Sequence, residues 1–116
     1  MFIISFPDNI DLLAFFESEP IFNNAEDFHF AYKKTDIHGM SLIFAFSATS
    51  GWIQAIIEFN DIEVSRYLME GVESFKIVKD LKGEYISSEI EFEDTRTKVE
   101  IRVAPSISVE FATLVR

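Results

Sequence analysis

The side chains able to do chemistry in this 116-residue chain are few in kind: no cysteine, two histidines and twenty aspartates and glutamates. His29 and His38 fall in and beside one hairpin with no further nitrogen or sulfur ligand nearby in sequence, whereas a transition-metal site draws on several such ligands. The carboxylates show no EF-hand spacing for calcium. No G-x-S-x-G elbow presents a serine, and the four glycines stand singly at turns rather than in a phosphate loop. No carboxylate pair suited to glycoside hydrolysis stands out from solvated surface. This inventory describes a binder rather than an enzyme, without metal or cofactor.

The carboxylates are instead patterned. In EIEFEDTRTKVEIRV, residues 89–103, Glu89, Glu91 and Glu93 alternate with Ile90 and Phe92, so acids share one face of a strand and apolar groups the other. A hairpin turning at Thr95-Arg96 sets Glu93 against Lys98, Glu89 against Arg102 and Glu91 against Glu100. A connection through Ala104-Pro105-Ser106 then sets Val103 against Ile107, Ile101 against Val109 and Glu100 against Glu110. Glu91, Glu100 and Glu110 thereby stand side by side across three strands. Ile90, Phe92, Val99, Ile101, Val103, Ile107, Val109 and Phe111 form the apolar face behind them. Like charges directly opposite each other destabilise a sheet. One reading is a solvated face screened by water and salt; the other is an acidic platform that a partner's lysines or arginines render favourable. Trp52, following ATSG at a loop-to-strand junction, is either core or an interface anchor. The candidate partner-binding residues are Glu89, Glu91, Glu93, Glu100, Glu110 and Trp52.

These residues need a scaffold, and the apolar pattern supplies one. MFIISF alternates Phe2, Ile4 and Phe6 against Met1, Ile3 and Ser5 and reads as a first strand closed by Pro7. DNIDLLAFFESEP reads as a short helix, with Asp8 as N-cap, Asp11 in the first turn, Pro20 as terminator and a stripe of Ile10, Leu12, Leu13 and Phe16. PIFNNAED is polar and turn-like. From Phe28 the period is mostly two: FHFAYKK and MSLIFAFS flank TDIHG, where Gly39 supplies a positive φ. WIQAIIEF leads through Asn60-Asp61 into IEVSRYLM, and VESFKIVK, EYISSEIEFE, KVEIRVA and ISVEFATL follow. Residues 61–70 also fit a helix, with Asn60 and Glu63 at capping-box positions and Gly71 at C′; Ile62, Val64 and Tyr67 favour strand. The fold expected is a single mainly β domain (α+β), residues 1–116. It is an antiparallel sandwich or open barrel of about seven to nine strands with one short N-terminal helix.

Composition bounds the function. Thirteen phenylalanines and 48% hydrophobic residues supply a core. The absence of cysteine fits a reducing compartment. The N-terminus is apolar for only six residues and lacks Lys and Arg, unlike a signal peptide or membrane span, so a cytoplasmic bacterial protein is expected. A net charge of −10 opposes direct binding to nucleic acid or to anionic membranes and suits a basic protein partner. Two other classes are compatible: a small-molecule-binding barrel with a Phe-lined pocket, and a structural subunit that self-associates through strand edges. The oligomeric state is open.

FFESEPIFNNAEDFHFAY, a helix ending in an E-P turn before a strand, GWIQAIIEFNDIEVSRY, a strand and its return, and the closing meander GEYISSEIEFEDTRTKVEIRV with ISVEFATL together resemble the immunity protein 50 family of bacterial polymorphic toxin systems. The likeness runs from about Leu12 onward, and MEGVESFKIVKD looks like an additional strand. The resemblance implies no catalytic residues. It implies a protein that neutralises a cognate toxin by contact, and the acidic ladder would then be the capture surface for a basic toxin.

Overall fold

The structure, a computed structural model, describes residues 2–115. Helix α1 (Asn9–Phe16) is followed by nine strands: β1 (Phe22–Asn24), β2 (His29–Thr35), β3 (Met40–Ser47), β4 (Trp52–Phe59), β5 (Ile62–Glu70), β6 (Lys76–Asp80), β7 (Gly83–Phe92), β8 (Thr95–Arg102) and β9 (Ser108–Val115). Two antiparallel meanders result, one ordered β1-β2-β3-β4-β5 and the other β6-β7-β8-β9. They remain separate sheets, so the fold is a sandwich rather than a barrel. Alternation of buried and less buried residues is clear in β4 and β8, and sheets packed through such faces lie about 10 Å apart.

Local chemistry sets the turns. Asn60 and Asp61 both take positive φ, 50° and 66°, the primed-turn geometry that matches strand twist and joins β4 to β5. Ile62–Glu70 is therefore strand, with Asp61 in the turn. Asp36 holds the β2–β3 loop by accepting from the N–H groups of His38 (2.8 Å) and Met40 (3.0 Å), and Gly39 supplies the φ of +86° that other residues resist. PIFNNAED, read as a loop, contains the three-residue β1, whose Phe22 pairs with Ala31.

The core is a ring cluster. Phe46 and Phe75 lie 5.0 Å apart, Phe44 and Phe75 5.4 Å, and Phe6 and Phe46 5.3 Å. Leu42 and Ile53 extend the cluster on the five-stranded sheet, Ile86, Val99 and Ile101 on the four-stranded sheet. Buried polar groups are few and satisfied: the Ser88 hydroxyl donates to the Ser74 carbonyl at 2.8 Å, and no buried side-chain N or O among the described residues lacks a partner.

Asp8 caps α1 as expected, its carboxylate accepting from the Asp11 N–H at 2.8 Å. The buried face is Leu12, Phe15 and Phe16, with Ile10 and Leu13 exposed. Phe16 decides the rotation of so short a helix: its ring stacks on Tyr32 at 5.0 Å and on Phe44 at 5.9 Å, which turns Ile10 outward. The N-terminal stretch is no strand. Ile3 N–H donates to Ala48 (2.8 Å), Ile4 N–H to Glu73 (2.7 Å), and Ser5 accepts from Phe75 N–H (3.1 Å). It thus clips the β3–β4 loop of the five-stranded sheet to the β5–β6 connection that joins the two sheets, burying Ile3 and leaving Phe2 and Ile4 exposed. Met1 lies outside the described residues.

Candidate partner-binding surface

The outer face of β7, β8 and β9 carries the carboxylates in a register that differs from the sequence reading. The β7–β8 turn falls at Glu93-Asp94, with Phe92 opposite Thr95, Glu91 opposite Arg96, Glu89 opposite Lys98 and Ser87 opposite Glu100. The three-glutamate ladder is thereby corrected. Moving the turn by two residues keeps every side chain on its face and keeps two opposite-charge pairs, but sets Ser87 rather than Glu91 opposite Glu100 and so removes a like-charge pair that a sheet disfavours. Glu91 meets Arg96 at 3.2 Å and Glu89 meets Lys98 at 3.9 Å, while Glu93 sits in the turn itself. Arg102, expected opposite Glu89, instead grips Asp80 through its two terminal guanidinium nitrogens at 2.5 and 3.1 Å and lies 4.5 Å over the Tyr85 ring. Hydrogen bonding from Arg102 holds the Asp80 carboxyl below its ordinary range, and the same bond holds the guanidinium above its own.

The β8–β9 register is as read: Ile101 faces Val109 and Glu100 faces Glu110. These two acids face each other beside a shallow depression of about 390 Å³ lined by Lys98, Glu100, Glu110, Phe111 and Ala112. The apolar side behind them divides by depth. Val99, Ile101 and Val103 are buried, Ile90, Ile107 and Val109 half-buried, and Phe92 and Phe111 exposed. Phe92 ends the longest strand, at the tip of a hairpin that outreaches the core; Phe111 lies on an edge strand and touches Tyr67 at 5.1 Å.

Trp52 occupies the opposite outer face of the sandwich, half-buried on β4. In the five-stranded sheet Asn24, His29, Ser47, Trp52 and Glu70 form one cross-strand row. The His29 ring stands edge-on to Trp52 at 5.1 Å and tilts against Phe22 at 4.6 Å. Trp52 is neither core nor part of the acidic surface, so the residues grouped from sequence divide between two faces pointing away from each other.

No group of three or more metal-ligating side chains occurs among the described residues, and no helix there is long and apolar enough to cross a membrane. The core phenylalanines Phe16, Phe44, Phe46 and Phe75 pack on other rings, while Phe2, Phe6 and Phe28 line an open apolar depression of about 320 Å³ with Ile3, Ala48 and Thr49. A cleft between α1 and β1–β2, about 300 Å³, has Ile10, Leu13, Glu19, Phe30 and Tyr32 among its lining, and burial, helped by Glu19, raises the Tyr32 phenol. Sequence reasoning missed the Asp80–Arg102–Tyr85 cluster, although the turn DLKG, which opens with Asp80, signals a hairpin that brings β6 beside β7.

No family model matches the chain, and no curated protein matches it. Among solved structures it is similar to a chain of the contact-dependent growth inhibition toxin–immunity protein complex from Klebsiella pneumoniae 342, at 37% identity and a TM-score of 0.95. The superposition covers 98% of this chain and 100% of that one, and this likeness supports an immunity-protein role. Agreement at that identity over essentially the whole of both chains means that this protein belongs to the same family as that chain, among the proteins of contact-dependent growth inhibition toxin–immunity pairs.

Proposed function

We propose that this protein is the immunity member of such a pair and silences a cognate toxin by direct contact, acting as a binder rather than a catalyst. The full-length match to a chain of a toxin–immunity complex carries the reading. A core filled by stacked rings and a net charge of −10 support it from the physical side. A toxin that works on nucleic acid needs a basic surface, and an inhibitor of opposite charge associates fast and selectively with it. The bacterial cytoplasm is the compartment where this neutralisation takes place. The specific likeness to the immunity protein 50 family belongs to the same proposal.

The contact is assigned to the outer face of the four-stranded sheet at its β8–β9 end. There Glu100 and Glu110 face each other, whereas Glu89 and Glu91 are matched by Lys98 and Arg96. Trp52 lies outside this surface. Co-expression with the toxin encoded by the neighbouring gene tests the function: wild-type chain restores growth, and failure to do so with a toxic neighbour and well-expressed, folded chain overturns the immunity reading. Rescue that persists undiminished when Glu100 and Glu110 are both changed to Lys removes the acidic contact while leaving the function standing.

A further inference from the structure

The sandwich has four strand edges, and one is less protected than the others. β1 is three residues long. β5 carries Glu63, Arg66 and Glu70 and has its register broken at Ile57/Glu58. β6 is five residues long with Lys76, Lys79 and Asp80. Shortness, charge and irregularity are the devices by which folded proteins keep strand edges from pairing with other chains. β9 is the least defended: eight residues, SVEFATLV, with Glu110 as its single charge, no proline, no lysine and an unbroken register against β8. Its side chains are exposed from Glu110 onward, Leu114 and Val115 among them. Alternate residues of such a strand direct their N–H and C=O groups away from the sheet, so β9 presents a ready half-ladder.

Resting on the immunity reading, we infer that β9 is the docking edge for a strand of the toxin, which joins as a fifth strand of the β6–β9 sheet. Strand addition takes its affinity from main-chain hydrogen bonds and its specificity from alternate side chains. The side-chain code is legible. Glu110 already faces Glu100 on its inner side, so a Lys or Arg opposite Glu110 on the incoming strand relieves a like-charge contact, whereas an acid adds a third carboxylate. On the other side of the incoming strand, apolar residues cover Phe111 and Val115. A second copy of this chain is the poorer occupant, because it brings Glu110 and a net charge of −10 to the same edge.

Amide hydrogen exchange on the chain alone and in complex with the neighbouring toxin tests the inference. The expected result is that the outward-facing amides of residues 108–115 exchange rapidly in the free protein and slow at least tenfold in the complex. Ala112→Pro and Thr113→Pro, made separately, give the second arm. Consecutive residues of a strand direct their N–H groups to opposite sides, so one of the two loses a bond to β8 and the other loses only an outward donor. The variant that keeps the wild-type circular dichroism and melting temperature is expected to bind the toxin at least tenfold more weakly, and Glu110→Lys likewise. A complex of full affinity whose β9 amides stay unprotected overturns strand addition and leaves immunity intact. No complex with wild-type chain overturns the immunity reading itself, and concentration-dependent dimerisation through β9 in its place assigns the edge to self-association.

Discussion

Two phenylalanines of the four-stranded half of the chain, Phe75 and Phe92, should behave oppositely, and the contrast tests the packing directly. Phe75 is 2% exposed and Phe92 70% exposed. Phe75 contacts Phe46 at 5.0 Å, Phe44 at 5.4 Å and Phe6 at 6.1 Å, so it joins the five-stranded sheet, the N-terminal clip and the connection into β6. Truncation to Ala forfeits transfer energy and leaves a cavity, about 3–5 kcal/mol. A domain of this size has total stability of about 6–17 kcal/mol. At about 1.5 kcal/mol per molar urea, the midpoint falls by about 2–3 M. Phe75→Leu retains bulk but loses the ring pairs, each worth about 0.5–1.5 kcal/mol, and remains folded if the Ala variant does not. Phe92→Ala removes a ring already in water and should shift stability by no more than about 0.5 kcal/mol. Urea unfolding followed by circular dichroism and by Trp52 fluorescence reads all three. Equal losses for Phe75→Ala and Phe92→Ala would refute the division between a packed ring cluster and a protruding hairpin tip.

The Asp80–Arg102 pair gives a pH signature. Because the folded-state pKa of Asp80 is depressed, its contribution is present above the unfolded carboxylate range and is lost as pH falls through the lower folded value. Asp80→Asn should therefore flatten the acid limb of a stability–pH curve below about pH 4, measured by thermal melts from pH 6 to pH 2. At the β4–β5 turn, Asp61 holds φ at 66° and Asp61→Gly should stabilise by about 0.5–1 kcal/mol. Gly39→Ala should destabilise by about 1 kcal/mol or more, since φ is +86° and a Cβ there meets Asn60 Oδ1 at 2.5 Å; chemical denaturation checks both. Glu110→Gln removes one of two facing carboxylates and should stabilise the free protein by a few tenths of a kcal/mol at low salt, with the gain shrinking as salt is added.

The parts of the fold that were legible in sequence are those where two signals agree. Alternation and a Pro-containing connection both specify the β8–β9 register, and Asn60-Asp61 between apolar runs specifies the β4–β5 turn. The β7–β8 register was not legible from alternation, because turns at Glu93-Asp94 and at Thr95-Arg96 differ by two residues and leave every side chain on its face. Both registers hold two opposite-charge pairs, and the electrostatic difference is that the observed turn sets Ser87 rather than Glu91 opposite Glu100; the like-charge pair in the alternative register was itself the sign against it. For α1, ring stacking by Phe16 overrides the helical stripe, a tertiary effect absent from local sequence. The N-terminal segment has strand alternation but bonds two different elements in succession, so no ladder forms. Trp52 and the glutamates could be grouped by residue type alone; only the assignment of β4 and β8 to different sheets separates them.

The most direct test of the central claim is an equilibrium titration of the purified chain with the toxin encoded beside it, by calorimetry at physiological salt. A 1:1 complex with Kd of about 10 nM or tighter, weakened as salt rises, is the expected result. A folded chain that shows no heat and no co-elution with active toxin at tens of micromolar would contradict neutralisation by direct contact.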